Sequence, residues 1–243
     1  MAEDVAALAH FYASSHGRVV IAMLRARLRA LWPVRPGART LGLGYALPFL
    51  RIWRTEAGDC TVACLPAQLG VARWPRKRPS LATVAHEDRL PFPDLLFDRV
   101  LLVHGLEHAE HARRMLREVW RVLKDDGRLM VVVPNRTGWW AYAEATPFGH
   151  GRPFSAPQLS RLLASAMFRE VRRDGALFVP PFPWRTLLRG AAAWERVGRR
   201  IGPRFAGVAI IEAEKDLFGA IPLPVAESAT VRRRRAVVAA DSG

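Results

Sequence analysis

Two short, almost wholly apolar runs bracket one strongly amphipathic stretch, and this arrangement constrains the fold more than any other feature. Phe97–Val103 reads Phe-Asp-Arg-Val-Leu-Leu-Val, and Leu129–Val133 reads Leu-Met-Val-Val-Val. Between them Leu116, Val119, Trp120 and Leu123 recur at helical spacing, so a helix is expected over Glu107–Leu123. Apolar runs this short suit strands buried on both faces, and strand, helix and strand in that order make a parallel crossover unit. The alternation extends both ways. Strands are expected at Arg39–Leu43, Cys60–Cys64, Leu81–Ala85, within Phe168–Val179 and at Val208–Ala213. Helices are expected at Pro48–Ala57, Ala67–Arg73, Pro157–Ala166 and Trp184–Ile201. The expected class is α/β, with a mostly parallel sheet.

The chain has 243 residues, half of them hydrophobic and 24% charged, which suits one large α/β unit and excludes wholesale disorder. No apolar run approaches the roughly 20 residues that span a bilayer. Met1-Ala-Glu-Asp is an acidic start with no apolar stretch behind it, so a secretory signal is not expected. Cys60 and Cys64 would lie about 13 Å apart along a strand, too far for a disulfide. A reducing, cytoplasmic setting follows as the expectation. The formal net charge is +15, and all the cations but Lys77, Lys124 and Lys215 are arginine. That charge raises affinity for nucleic acid or an anionic membrane surface without naming either as partner.

Residues 4–31 read as one helix, with Val20, Leu24, Leu28 and Leu31 on one stripe and Arg18, Arg25 and Arg29 on another. Packing against a domain is favoured over peripheral membrane attachment, because Ala22 and Ala26 break the polar face. Three regions result: a helical segment over 1–36, a main domain over 37–225, and a basic tail over 226–243 with the run Arg232–Arg235, expected to be disordered.

In open parallel sheets ligands bind beyond the carboxyl ends of the strands, so the loops there carry the chemistry. The first reads Thr40-Leu-Gly-Leu-Gly-Tyr-Ala-Leu-Pro48, where Gly42 and Gly44 permit a tight turn and close approach. Further on, Leu90-Pro-Phe-Pro-Asp leads into Phe97-Asp-Arg-Val. Leu116-Arg-Glu-Val-Trp-Arg-Val-Leu-Lys-Asp-Asp-Gly127 follows at the end of the helix. These two blocks together resemble the class I S-adenosylmethionine-dependent methyltransferases, in particular the type 11 methyltransferase domain, over about Arg39 to Arg169. The resemblance implies a Rossmann-like seven-stranded sheet, mostly parallel, with helices on both faces and the last strand antiparallel. It implies S-adenosylmethionine as cofactor, held by Gly42, Gly44 and Tyr45, with Glu87 or Asp88 matching an acid that precedes the Leu-Pro-Phe block. It also shows departures. The acid that usually opens the first loop is Gly42 here, two later glycines are Ala46 and Pro48, and no acid follows the second strand around Cys64–Gln68.

His104, at the end of the fourth expected strand, stands where such enzymes place residues beside the transferred methyl group, as a general base or a wall. His104-x-x-Glu107-His108 also spells a zinc-binding pattern. The two histidines are not expected on one helical turn, so no metal is expected, and Glu107 and His108 are expected to cap the helix. The long loop over 134–154 carries Asn135, Arg136, Trp139, His150 and Arg152 as candidates for the acceptor, with a small molecule as the favoured class. Two functions follow: a methyltransferase, or a methyltransferase-like binding or regulatory protein that no longer transfers methyl groups.

Overall fold

The computed structural model describes residues 5–54, 60–75, 78–181, 194–196, 198, 200 and 202–217. Seven strands form one sheet: β1 (Thr40–Gly44), β2 (Thr61–Pro66), β3 (Ala82–Ala85), β4 (Phe97–Val103), β5 (Leu123–Pro134), β6 (Phe168–Ala176) and β7 (Val208–Lys215). Their spatial order is β3-β2-β1-β4-β5-β7-β6. β1 to β5 are parallel neighbours, and β7, the last in the chain, runs antiparallel between β5 and β6. The expected α/β sheet and its antiparallel last strand are both present.

Alternation along the central strands divides the core into two layers. Leu41, Leu43, Val100, Leu102, Val131 and Val133 face α3 (Ala112–Val122) and α4 (Ala156–Ser165). Leu101, Val103, Met130, Val132 and Ile210 face the opposite way, against α1 (Val5–Ala13) and α2 (Ser15–Leu31). Helices therefore cover both faces. The expected helix over 4–31 is two helices, because the Ser14 hydroxyl accepts from Gly17 N and starts α2 afresh. Gly17 is needed there, since a Cβ would sit 2.0 Å from Phe11 O. α4 opens on a capping box of Ser155 and Gln158.

Other expected helices are shorter than the sequence implies. Pro48–Ala57 is a 3₁₀ turn at Leu50–Trp53, with 55–59 outside the described residues, and Ala67–Arg73 is a single turn at Ala67–Leu69. The helix of Glu107–Leu123 begins only at Ala112, and β5 follows it directly. Most of the expected helix Trp184–Ile201 and all of the basic tail lie outside the described residues. Both cysteines are free thiols, Cys60 exposed and Cys64 buried. Among the described residues no helix is long and apolar enough to cross a membrane.

Part of the positive charge has partners among the described residues. Glu214 pairs with Arg128 and Arg169, and Asp174 pairs with Arg27. The arginines of β6 lie on a sheet edge, where charge discourages pairing with another strand.

Candidate active site

The candidate site is built on the carboxyl ends of β1, β4 and β5. Gly42 and Gly44 fall on the α1/α2 face of β1. A Cβ on Gly42 would come within 2.7 Å of the Leu50 methyls and 2.9 Å of Ala46. Gly44 has φ +75° and lies so close to β4 that a Cβ would stand 2.2 Å from Val103 O. The same carbonyl accepts from Tyr45 N at 2.7 Å. Both glycines thus serve close packing of the chain upon itself. The turn is buried beneath Tyr45, Phe49 and Leu50, and Tyr45 stacks on Tyr12 of α1 at 5.8 Å.

The Tyr12 hydroxyl lies 2.6 Å from His104 Nε2, and His104 Nδ1 lies 3.1 Å from Glu107 Oε1. His104 is 1% exposed, with φ +49°, a left-handed conformation rare outside glycine. Both its ring nitrogens are engaged, so it forms a wall behind Tyr12 and offers no nitrogen to an acceptor in this arrangement. Glu107 does not cap α3. It is buried beside His104, and its second carboxylate oxygen, Oε2, meets no hydrogen-bond partner among the described residues. Glu87 Oε1 instead accepts from N of His111, the residue that precedes α3, at 2.8 Å. Asp88 lies 3.8 Å from Arg114. These two acids are turned to α3.

The loop over 134–154 is held down by two 3₁₀ turns, Trp139–Tyr142 and Pro147–Gly149. Its aromatics divide sharply. Trp140 and Phe148 are each 1% exposed, while Trp139 is 67% exposed. Asn135 is structural: its Nδ2 donates to Arg204 O and Ala206 O, at 3.0 and 2.8 Å. Arg136 and Arg152 are exposed.

A cavity of about 550 Å³ opens between this loop and the corner joining α1 to α2. Phe11, Pro147 and Pro181 give it apolar walls, and His10, His16 and His150 bring three imidazoles. Of the five loop residues expected to touch an acceptor, His150 alone is among its lining residues. The contribution of α1 and α2 was missed, because nothing in the local pattern of 10–16 separates a pocket wall from a packed helix. His16 is 7% exposed, its Nε2 has no hydrogen-bond partner among the described residues, and burial pushes its pKa down. It is a neutral imidazole with an unspent nitrogen.

S-adenosylmethionine is the group this fold implies, and the residues present test it. Leu50 fills the space beside Gly42, no carboxylate follows β2, and Glu87 is committed to His111. In this arrangement Leu50 and the Tyr12–Tyr45 stack lie beside the turn, so a cofactor held there would need that stack to move aside.

A family model described as "Methyltransferase domain" matches residues 40–131. A demethylmenaquinone methyltransferase of Beutenbergia cavernae is 39% identical over 122 residues, half of each chain. A probable S-adenosylmethionine-dependent methyltransferase of Mycobacterium tuberculosis is 35% identical over 111 residues, 45% of this chain and 39% of that one. The chain thus spans half or less of these relatives' length. Among solved structures, a possible histamine N-methyltransferase from Thermotoga maritima superposes with a TM-score of 0.61, over 85% of this chain and 93% of that one, at 19% identity. A [4+2]-cyclase superposes with a TM-score of 0.52, over 79% and 80%, at 21% identity. The matched segment runs from the start of β1 into β5, the part of the sheet that carries the glycine turn and His104. Residues 40–131 are thus similar to a methyltransferase domain, and the sheet they belong to has the fold of the solved methyltransferases.

Proposed function

We propose that the chain is an S-adenosylmethionine-dependent methyltransferase acting on a small molecule seated in the cavity between the α1–α2 corner and the 144–150 loop. The observation that carries this reading is the family match laid over β1 to β5, on a sheet of the matching topology. On this reading Gly42, Gly44 and Tyr45 mark the cofactor side, and cofactor entry displaces the Tyr12–Tyr45 stack. The acceptor side is the cavity, where His16 and His150 face a ring compound bearing a hydroxyl or carbonyl. A neutral imidazole holds such a group by one hydrogen bond without demanding a charge. The relative from Beutenbergia cavernae bears the name of a demethylmenaquinone methyltransferase, which agrees with a ring acceptor. Asn135, Arg136, Trp139 and Arg152 shape the loop that closes the cavity.

When bound, the cofactor would supply an electrophilic methyl group. The protein's part is to orient the acceptor and exclude water, and orientation alone contributes several kcal/mol. One observation favours a second reading, a methyltransferase-like protein that binds ligands without transferring methyl groups: the turn beside Gly42 is filled by the chain's own Leu50. Calorimetric titration with S-adenosylhomocysteine separates the two. Saturable heat supports the enzyme, and its absence supports the binding protein.

A further inference from the structure

We propose that His104, Glu107 and His108 form a zinc site in the turn that follows β4. One ligand atom from each lies within 4.8 Å of the other two. The sequence pattern argued against a metal because the two histidines do not share a helical turn. The turn over 104–108 removes that objection, since the left-handed backbone at His104 (φ +49°) brings its ring round to Glu107.

The chemistry of the donors is consistent with an ion. His104 Nε2 is taken by the Tyr12 hydroxyl at 2.6 Å, which leaves Nδ1 as the ligand, 3.1 Å from Glu107 Oε1. Ligand atoms about 2.0–2.2 Å from a tetrahedral zinc ion stand roughly 3.3–3.5 Å apart. The Nδ1–Oε1 edge is already close to that spacing, and no edge of the three exceeds 4.8 Å. Metal-bound histidines habitually use their second nitrogen on a neighbouring oxygen, the place Tyr12 takes here. Glu107 is 2% exposed and its Oε2 has no partner among the described residues. A buried carboxylate with an unspent oxygen is costly unless a cation meets it. Two imidazoles and a carboxylate suit zinc, with a fourth position left for water. The loop after β5 lies directly over the turn: Arg152 N donates to Glu107 O at 2.9 Å, and a Cβ on Gly151 would stand 2.9 Å from the His108 ring. An ion there would pin the cover of the cavity to the end of β4.

The site is independent of methyl transfer, and its test does not read activity. The full chain, stripped with a chelator, is titrated with Zn²⁺ against a chromophoric competitor, and with Co²⁺ for the absorption bands of a tetrahedral site. The expected result is one equivalent bound with sub-micromolar affinity and a tetrahedral Co²⁺ spectrum. His108→Ala and the shape-conserving Glu107→Gln each weaken it by roughly tenfold or more, with circular dichroism unchanged. Cys60→Ser and His150→Ala leave it intact. Absence of saturable binding in the folded protein overturns the proposal. So does binding that survives both Glu107→Gln and His108→Ala, or that is lost with Cys60→Ser or His150→Ala.

Discussion

Single residues decide how the ends of β1 and β4 meet. Gly44 combines a left-handed backbone with a carbonyl 2.2 Å from where its Cβ would be, so alanine there both strains the turn and pushes β4 away. Gly44→Ala is expected to lower unfolding free energy by about 2–4 kcal/mol, the sum of a left-handed penalty and overpacking, measured by urea denaturation. An unchanged midpoint would mean that the two strand ends are not in contact. From sequence this glycine was readable as special, but its approach to Val103 O was not, because a close approach to backbone and one to a cofactor call for the same residue type. The two thiols offer a second check. Burial pushes the Cys64 thiol up to about 12, while Cys60 stands in solvent. Alkylation of the folded protein at pH 8 is expected to modify Cys60 alone, with Cys64 reacting only after denaturation. Mass spectrometry that finds both labelled at equal rates would contradict the packing of β2.

At the scale of elements, the two sequence blocks that carried the family resemblance prove to be joined by one side chain. Arg121 of α3 donates to Glu118 and Asp94 and to the carbonyls of Leu90 and Phe92. Glu118 in turn accepts from Leu90 N at 2.8 Å. Spacing along the helix offers only an i, i+3 pair of Glu118 and Arg121 and cannot show a distant loop folding onto it. The hydrogen bonds from Arg121 hold the Glu118 carboxyl below its ordinary range. Its folded pKa is depressed, so its contribution is present at neutral pH and is lost as pH falls below the ordinary carboxylate value of about 4. Glu118→Gln is therefore expected to lower stability at pH 7 by about 1–3 kcal/mol and to flatten the loss on acidification. Parallel denaturation curves for the two proteins from pH 7 to pH 3 would refute the clamp. The strands were legible because apolar runs and period-two alternation are local signals. Helix starts were not: His111, which precedes α3, is held by Glu87, 24 residues earlier, and the break at Ser14 rests on a single hydroxyl within an unbroken apolar stripe.

For the whole molecule, α1 and α2 are part of the core. They bury Leu8, Val20, Leu24 and Leu28 against one face of the sheet. A chain lacking residues 1–31 is expected to lose cooperative unfolding, because β1, β4 and β5 would expose that face to water. A sharp melting transition in the truncated chain would show that the remainder folds alone. The same helices place Tyr12 against Tyr45 at the glycine turn and His16 at the cavity. Recognition of the fold needed only the sequence blocks, whereas the cavity needed two segments more than 120 residues apart to be brought together, and no local pattern records that. On the proposed function this chain still binds the methyl donor despite its altered first loop. Titration calorimetry of the full chain with S-adenosylhomocysteine tests it most directly. Saturable binding in the micromolar range, near −8 kcal/mol by the usual conversion, is the expected result. No heat and no thermal shift at millimolar ligand would contradict it.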